Sequence, residues 1–140
     1  MTILCPLDFS AASSGLVAYA AALAVATGAD LRLLHVCEPQ ESSALAQVAD
    51  TQQLAGLRAA AEQAGVARVH TGIVQGEAAP EIVAEATRQG ADLIVIGAHG
   101  QTGLTRFLMG NTAEVVLRTA PCATLLVRAP LQAEAGQTPS

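Results

Sequence analysis

The sequence predicts a doubly wound α/β fold, in which a five-stranded parallel sheet of order 3-2-1-4-5 carries helices on both faces. Short apolar runs alternate along the chain with longer segments of helical periodicity, which is the pattern of repeated β-α-β units. The run Leu93–Ile96 is apolar at every position, as expected for a strand covered on both faces. A glycine-bounded loop follows that run directly.

Length and composition favour one domain and exclude several functions. We assign residues 1–129 to this domain and residues 130–140, which are small and polar, to a disordered tail. All seven basic residues are arginines, and the absence of lysine excludes a Walker-type phosphate loop and Schiff-base chemistry. A net charge of -5, scattered arginines and few aromatic residues argue against a nucleic-acid surface.

Targeting features and cysteine usage predict a cytoplasmic protein. The N-terminus has no basic region before its apolar run, and no apolar run approaches the roughly 18 residues that span a bilayer. We therefore expect neither a signal peptide nor a membrane span. The three cysteines (Cys5, Cys37 and Cys122) are too few and too scattered for a disulfide framework or a zinc site. Cys5 and Cys37 could approach each other, although two buried thiols are favoured.

The apolar runs and the capping residues give the expected elements. The third strand alternates in character and is expected at a sheet edge. His35 is predicted to be structural and His70 to be exposed. The strands are predicted at Thr2–Leu7, Leu31–Cys37, Arg68–Val74, Asp92–Ile96 and Cys122–Arg128. The helices are predicted between a Ser10 cap and Gly28, from about Gln47 to Ala64, from Pro80 as first residue to Gly90, and between an Asn111 cap and Pro121.

Topology and loop chemistry place a ligand site at one end of the sheet. Strands one and four flank the switch point of this strand order, where doubly wound folds bind ligands, and they end at Asp8 and Gly97. The stretch Gly97–Thr112 has the spacing G-x2-G-x9-G, with Gly100 and Gly110 as its other glycines. Glycines let backbone N–H groups approach a phosphate, and a helix start supplies unpaired donors. The sequence thus predicts a site for nucleotide phosphates.

Simpler interpretations of the same residues stay open. Asp8 could cap the first helix without a ligand, and the glycines could serve only to shape turns. His99 could satisfy backbone groups within the loop. Arg106 is the one cation in the loop, and it is either a solvated side chain or a partner for a terminal phosphate.

Four motifs in order resemble the universal stress protein family, specifically its ATP-binding branch. They are PLDFS after the first strand, LLHV in the second, the G-x2-G-x9-G loop, and APCATLLV at the end. The resemblance runs from Thr2 to about Arg128. It implies a Rossmann-like fold of the adenine nucleotide alpha hydrolase-like type and a stress-response role. It also implies binding of ATP or another adenine nucleotide, with or without Mg²⁺, and a homodimer.

The resemblance also implies roles for individual positions. The wall of the adenosine site is similar to Pro6, Leu7 and Asp8, and the residue whose backbone binds the adenine edge is similar to Val36. The support of the ribose and phosphates is similar to Ile96 and Gly97. The residues that hold the phosphates are similar to His99, Gly100, Gly110, Asn111 and Thr112. Asn111 departs from the family pattern, which has Ser or Thr there. Each amide atom can do only one job, so we expect binding with altered affinity, and Thr112 is a candidate to supply the hydroxyl.

The favoured function is an adenine-nucleotide (ATP) binding protein with a regulatory or stress-response role. The alternatives are a slow ATPase or phosphotransferase and a non-nucleotide dimeric adaptor. Enzyme activity is not favoured, because no nucleophile can be placed and Asp8 is the one carboxylate assigned to the crevice. We assign no catalytic residue and no metal ligand. The apolar last strand, Ala123–Val127, would be a liability at a sheet edge unless covered, which predicts a homodimer through it.

Overall fold

The computed structural model describes residues 1–41, 43–98 and 112–128. Its strands form one parallel sheet of order β3-β2-β1-β4-β5, which confirms the predicted doubly wound arrangement. The strands are β1 (Thr2–Leu7), β2 (Asp30–Cys37), β3 (Val69–Gln75), β4 (Leu93–Gly97) and β5 (Ala123–Val127). The helices are α1 (Ser13–Thr27), α2 (Ala44–Gln63), α3 (Ala78–Gln89) and α4 (residues 112–119), with a 3-10 turn at Pro39–Glu41.

The sheet separates two apolar cores because its central strands are buried on both faces. Cys5 and Leu33 belong to the core beneath α1 and α2. Leu4 and Leu34, their neighbours along the same strands, belong to the core beneath α3 and α4. Side chains of a strand alternate between the two faces of the sheet, so the continuous apolar runs of the sequence supply both cores at once.

Helix α1 packs on the sheet through its smallest side chains. Ala20, Ala21 and Ala24 are fully buried in the first core together with Leu16 and Val17. Small side chains let the helix axis approach the strands closely. The helix ends at Gly28 as predicted, in the left-handed conformation that glycine adopts without penalty.

The N-termini of α1 and α3 differ from the predictions. Ser10 is not the N-cap of α1, because Ala12 occupies that position and its own side chain makes no capping hydrogen bond. Ser10 belongs instead to the turn before the helix. Pro80 is the third residue of α3, not its first. Proline is tolerated at that position because N–H groups in a first helical turn have no partner within the helix.

Helix α2 begins three residues before its predicted start and is continuous. Ser43 is its N-cap, and the Ser43 Oγ accepts a hydrogen bond from the backbone N of Ala46 at 3.0 Å. Gly56 lies inside the helix without interrupting it.

The cysteines of the first two strands are not close enough to bridge. Cys5 lies opposite Leu33 in the β1–β2 register, so Cys37 is four residues further along β2, or about 13 Å at the rise of a strand. A disulfide needs Cα atoms less than about 7 Å apart. The prediction that they could approach each other is therefore wrong, and both are buried thiols that form no disulfide within the described residues. His70 is exposed on β3 as predicted.

None of the helices within the described ranges is long and apolar enough to cross a membrane. The cytoplasmic location stays a prediction. So does the disordered tail, which lies outside the described residues.

We predict that Gly76→Ala destabilises the protein and that Gly56→Ala does not. Gly76 has φ +144°, and an added Cβ would lie 2.8 Å from the Cγ of Glu81, so the strain should lower the free energy of unfolding by about 1–3 kcal/mol. Nothing lies within 4 Å of a Cβ added to Gly56. Because alanine favours a helix interior over glycine, Gly56→Ala should raise the free energy of unfolding by up to about 1 kcal/mol. Urea unfolding of both variants measures the difference. Equal urea midpoints for the two variants would contradict the conclusion that the position of Gly76 requires glycine.

We predict that stability falls as the pH rises above 9 because of Cys5. Burial raises the pKa of the Cys5 thiol from 9.0 to about 12, so between these values the unfolded chain loses a proton that the folded chain keeps. The free energy of unfolding then decreases with pH, by at most about 1.4 kcal/mol per pH unit for this group. Urea unfolding between pH 8 and 10.5 measures the slope. Cys5→Ala should flatten it, and an unchanged slope in that variant would assign the effect elsewhere.

Candidate functional site

The pairing of β1 with β4 stops before the carboxyl ends of these strands, and the gap between these ends is the crevice that the topology predicts. The register between β1 and β4 ends at the Leu4–Ile94 pair. On the outer sides pairing continues, with β1 bonded to β2 as far as Leu7 and β4 bonded to β5 as far as Gly97. The sheet therefore parts at the switch point, where its strand order reverses and ligands of such folds bind.

Pro6 gives this opening a chemical cause. The Thr2 carbonyl accepts a hydrogen bond from the Asp92 N on the β4 side, whereas the Met1 carbonyl accepts one from the Asp30 N on the β2 side. Backbone groups of successive residues point to alternate sides of a strand in a parallel ladder. Pro6 therefore faces β4, and proline has no N–H to donate there. The β1–β4 hydrogen-bond ladder therefore ends at the position where β1 has no N–H group to donate.

Asp8 follows β1 directly and is held by the turn that leads into α1. Its Oδ1 accepts hydrogen bonds from the Ser10 backbone N at 3.0 Å and from the Ser13 Oγ at 3.4 Å. The Ser10 Oγ in turn accepts one from the Ala12 N at 3.3 Å. These local bonds are the Asx and Ser turns that such residues favour. Among the residues described, only one of the two carboxylate oxygens of Asp8 is engaged.

Phe9 and His35 lie beside Asp8, on the α1 and α2 side of the sheet. Phe9 has φ +60° and is the one non-glycine residue in the left-handed region within the described ranges. Its ring stacks on the His35 ring, with centroids 4.1 Å apart. The His35 ring is buried, with its Nδ1 3.0 Å from the Leu7 carbonyl oxygen and its Nε2 3.6 Å from the Asp50 Oδ2. The prediction that His35 is structural is consistent with these contacts.

The remaining predicted site residues divide into those that the structure places and those that it does not. Val36 and Ile96 belong to the second core, and Gly97 ends β4, where an added Cβ would meet the Leu16 Cδ2 at 3.7 Å. Thr112 is the first described residue of α4. The predicted phosphate-holding residues His99, Gly100, Arg106, Gly110 and Asn111 lie outside the described residues.

The site residues that the structure describes can bind ligand groups through a carboxylate side chain and through the backbone. Asp8 is a hydrogen-bond acceptor at the crevice mouth, and the ends of two parallel strands border it. Within the described ranges there is no group of three or more His, Cys, Asp or Glu side chains that could hold a metal ion.

Several roles of residues around Asp8 were not identified from the sequence. The Asp-x-Ser spacing of Asp8 and Ser10 is a readable sign of an Asx turn. Pro6 inside an apolar run was also a readable sign, because proline in a central strand removes a ladder bond. The approach of Asp50 to His35 had no comparable sign, since it depends on how α2 is rotated against the sheet.

Comparison with known proteins agrees with the family resemblance and the topology. A parallel sheet with helices on both faces and a crevice at its switch point defines a Rossmann-like α/β protein. The universal stress protein family profile matches residues 1–128. A universal stress protein of Thermus aquaticus is 33% identical over 135 residues, which cover 91% of this chain and 98% of the relative. The chain belongs to the universal stress protein family.

Two solved structures share this fold. A universal stress protein in complex with cAMP has a TM-score of 0.78 and is 24% identical. The match covers 93% of this chain and 98% of the chain of that structure. A universal stress protein from Archaeoglobus fulgidus in complex with dAMP has a TM-score of 0.75 at 18% identity, covering 91% and 98%.

Other curated universal stress proteins match over only part of their length. One is 47% identical over 70 residues, which cover 50% of this chain and 41% of that relative. Another match covers 54% of this chain and 46% of the relative. Relatives of this kind are more than twice as long as the segment that matches.

Proposed function

We propose that the crevice between β1 and β4 binds an adenine nucleotide, with ATP as the preferred form, and that the protein acts as a regulatory protein of the stress response. The observation that carries this proposal is the half-engaged Asp8 at the mouth of the opened switch point. The G-x2-G-x9-G stretch that starts at Gly97 supplies the rationale for phosphates.

Asp8 is suited to receive a sugar hydroxyl. Because Oδ1 is committed to Ser10 and Ser13, the carboxylate has a fixed orientation. Its second oxygen can accept hydrogen bonds from a ligand, and an ionised carboxylate has no donor of its own. A ribose hydroxyl is a donor of the required kind.

The relatives support the adenine part of the proposal. Two family members of the same fold are in complex with cAMP and dAMP, which share an adenine base, a sugar and a phosphate. The preference for ATP rests on this chain's own glycine spacing and on Arg106 as a cation for a terminal phosphate. The role proposed for Asn111 is donation from its amide to a phosphate oxygen, with Thr112 supplying the hydroxyl.

We predict that Asp8→Asn weakens nucleotide binding without weakening the fold. Asparagine keeps an oxygen for Ser10 and Ser13, but it replaces the second carboxylate oxygen with an NH₂ group. Loss of a hydrogen bond to a charged acceptor should raise the Kd for ATP by about tenfold or more. Isothermal titration calorimetry with ATP and AMP measures it, and urea unfolding should give an unchanged midpoint.

Asp92→Asn is the matched control, because Asp92 bonds to the Thr2 N at the opposite end of the sheet. It removes the same charge and should leave the Kd unchanged. Nucleotide released by denaturing the purified wild-type protein is identified in parallel. No ATP binding by the wild-type protein at millimolar concentration would contradict the proposed function, and so would equal affinity in the Asp8→Asn variant.

We also propose that the protein is a homodimer that pairs through β5. This strand is at one edge of the sheet, where unpaired backbone groups can bond to another chain. Leu126 on β5 and Leu117 on the neighbouring α4 are both more than 40% exposed. A partner strand would cover these apolar side chains.

We predict that Leu126→Glu shifts the protein from dimer to monomer. Light scattering after size exclusion at tens of micromolar measures the mass. Ile73→Glu is the control, because Ile73 is an exposed apolar residue on β3, the opposite edge strand. It should leave the dimer intact. A wild-type monomer, or equal dissociation in both variants, would refute pairing through β5.

A further inference from the structure

We infer that His35 is a positioning residue for the nucleotide site, because it holds both chain neighbours of Asp8. This inference rests on the proposed function, in which Asp8 and not His35 contacts the ligand. His35 is on β2, and its ring also approaches α2. Both elements lie on the side of β1 away from β4.

The first contact fixes the residue before Asp8. The His35 Nδ1 is 3.0 Å from the Leu7 carbonyl oxygen, and the bond is buried. A carbonyl oxygen can only accept, so the Nδ1 carries the hydrogen and donates it. Leu7 is the last residue of β1, so this side chain extends the attachment of β1 to β2 at the point where attachment to β4 has ended.

The second contact fixes the residue after Asp8. The Phe9 backbone is left-handed at φ +60°, a conformation that costs a bulky residue of the order of 1–3 kcal/mol and persists only where the surroundings hold it. The stacked His35 ring, at 4.1 Å and an interplanar angle of 24°, is such a support. Phe9 in this conformation directs the chain into the turn whose Ser10 and Ser13 bond to Asp8.

The other ring nitrogen faces α2. The His35 Nε2 is 3.6 Å from the Asp50 Oδ2, with both side chains largely buried. One nitrogen thus faces the strand end and the other faces the helix. Its ring face contacts Phe9. A ring so constrained has little freedom to rotate, and Asp8 lies between its two contacts. Binding groups must be held to about 0.5 Å of the productive geometry, and this arrangement supplies that support.

Two amide variants separate the hydrogen bond to Leu7 from the ring packing. In His35→Asn the amide N–H lies near the position of Nδ1, so the bond to the Leu7 carbonyl is retained. In His35→Gln the amide lies near the position of Nε2, so that bond is lost. We expect the Kd for ATP to rise by about twofold to threefold in His35→Asn, which loses only the stacking on Phe9, and by about fivefold or more in His35→Gln, which also loses one neutral hydrogen bond. His70→Gln, at an exposed position on β3, should leave the Kd unchanged.

A double-mutant cycle with Asp8→Asn tests whether His35 acts through Asp8. The fivefold effect of His35→Gln should shrink to less than about twofold in the Asp8→Asn background, because interacting residues are not additive. A full fivefold effect in both backgrounds overturns the inference, and so does equal weakening in His35→Asn and His35→Gln. If His35→Gln does not fold, Phe9→Leu removes the stacking alone and should raise the Kd about twofold to threefold; wild-type affinity in that variant overturns the inference. A wild-type protein that does not bind nucleotide refutes the proposed function instead.

Discussion

A single missing hydrogen-bond donor organises this sheet. Proline is rare in central strands because it interrupts the ladder, yet Pro6 lies in β1, between two parallel neighbours. Its ring nitrogen faces β4, and the β1–β4 register stops two residues before it, at Leu4. The interruption falls at the topological switch point, where the connections of the sheet already diverge to opposite faces. Covalent structure and topology therefore interrupt the β1–β4 pairing at the same place.

The same region explains why two interpretations of Asp8 were both open. A carboxylate that shapes a turn and a carboxylate that binds a ligand look alike in a sequence. In the structure one oxygen bonds to Ser10 and Ser13, and the other has no hydrogen bond among the residues described. The structural role is therefore a condition of the binding role, because the turn orients the oxygen that would meet the ligand.

Much of the fold could be predicted because its signals are local. Continuous apolar runs predict strands buried on both faces, and Gly28 and Gly90 end α1 and α3 as expected. Helix beginnings were less predictable, since Ser10 competes between capping and turn formation and Pro80 is tolerated at several first-turn positions. The Asp8 end of the crevice was accessible from topology, whereas the contacts of His35 with Phe9 and Asp50 were not. They depend on a left-handed backbone and on the rotation of α2, neither of which leaves a periodic pattern.

The alanine surface of α1 has a consequence for how such a site could diversify. Ala20, Ala21 and Ala24 set the spacing between the helix and the sheet, and the same helix carries Ser13 in its first turn, bonded to Asp8. A larger side chain at any of the three would lift or tilt the helix, because interiors are close-packed. The first turn would then move with it. In the proposed nucleotide site, ligand preference is therefore open to tuning by residues that lie about two or more helical turns away from the one that bonds to Asp8.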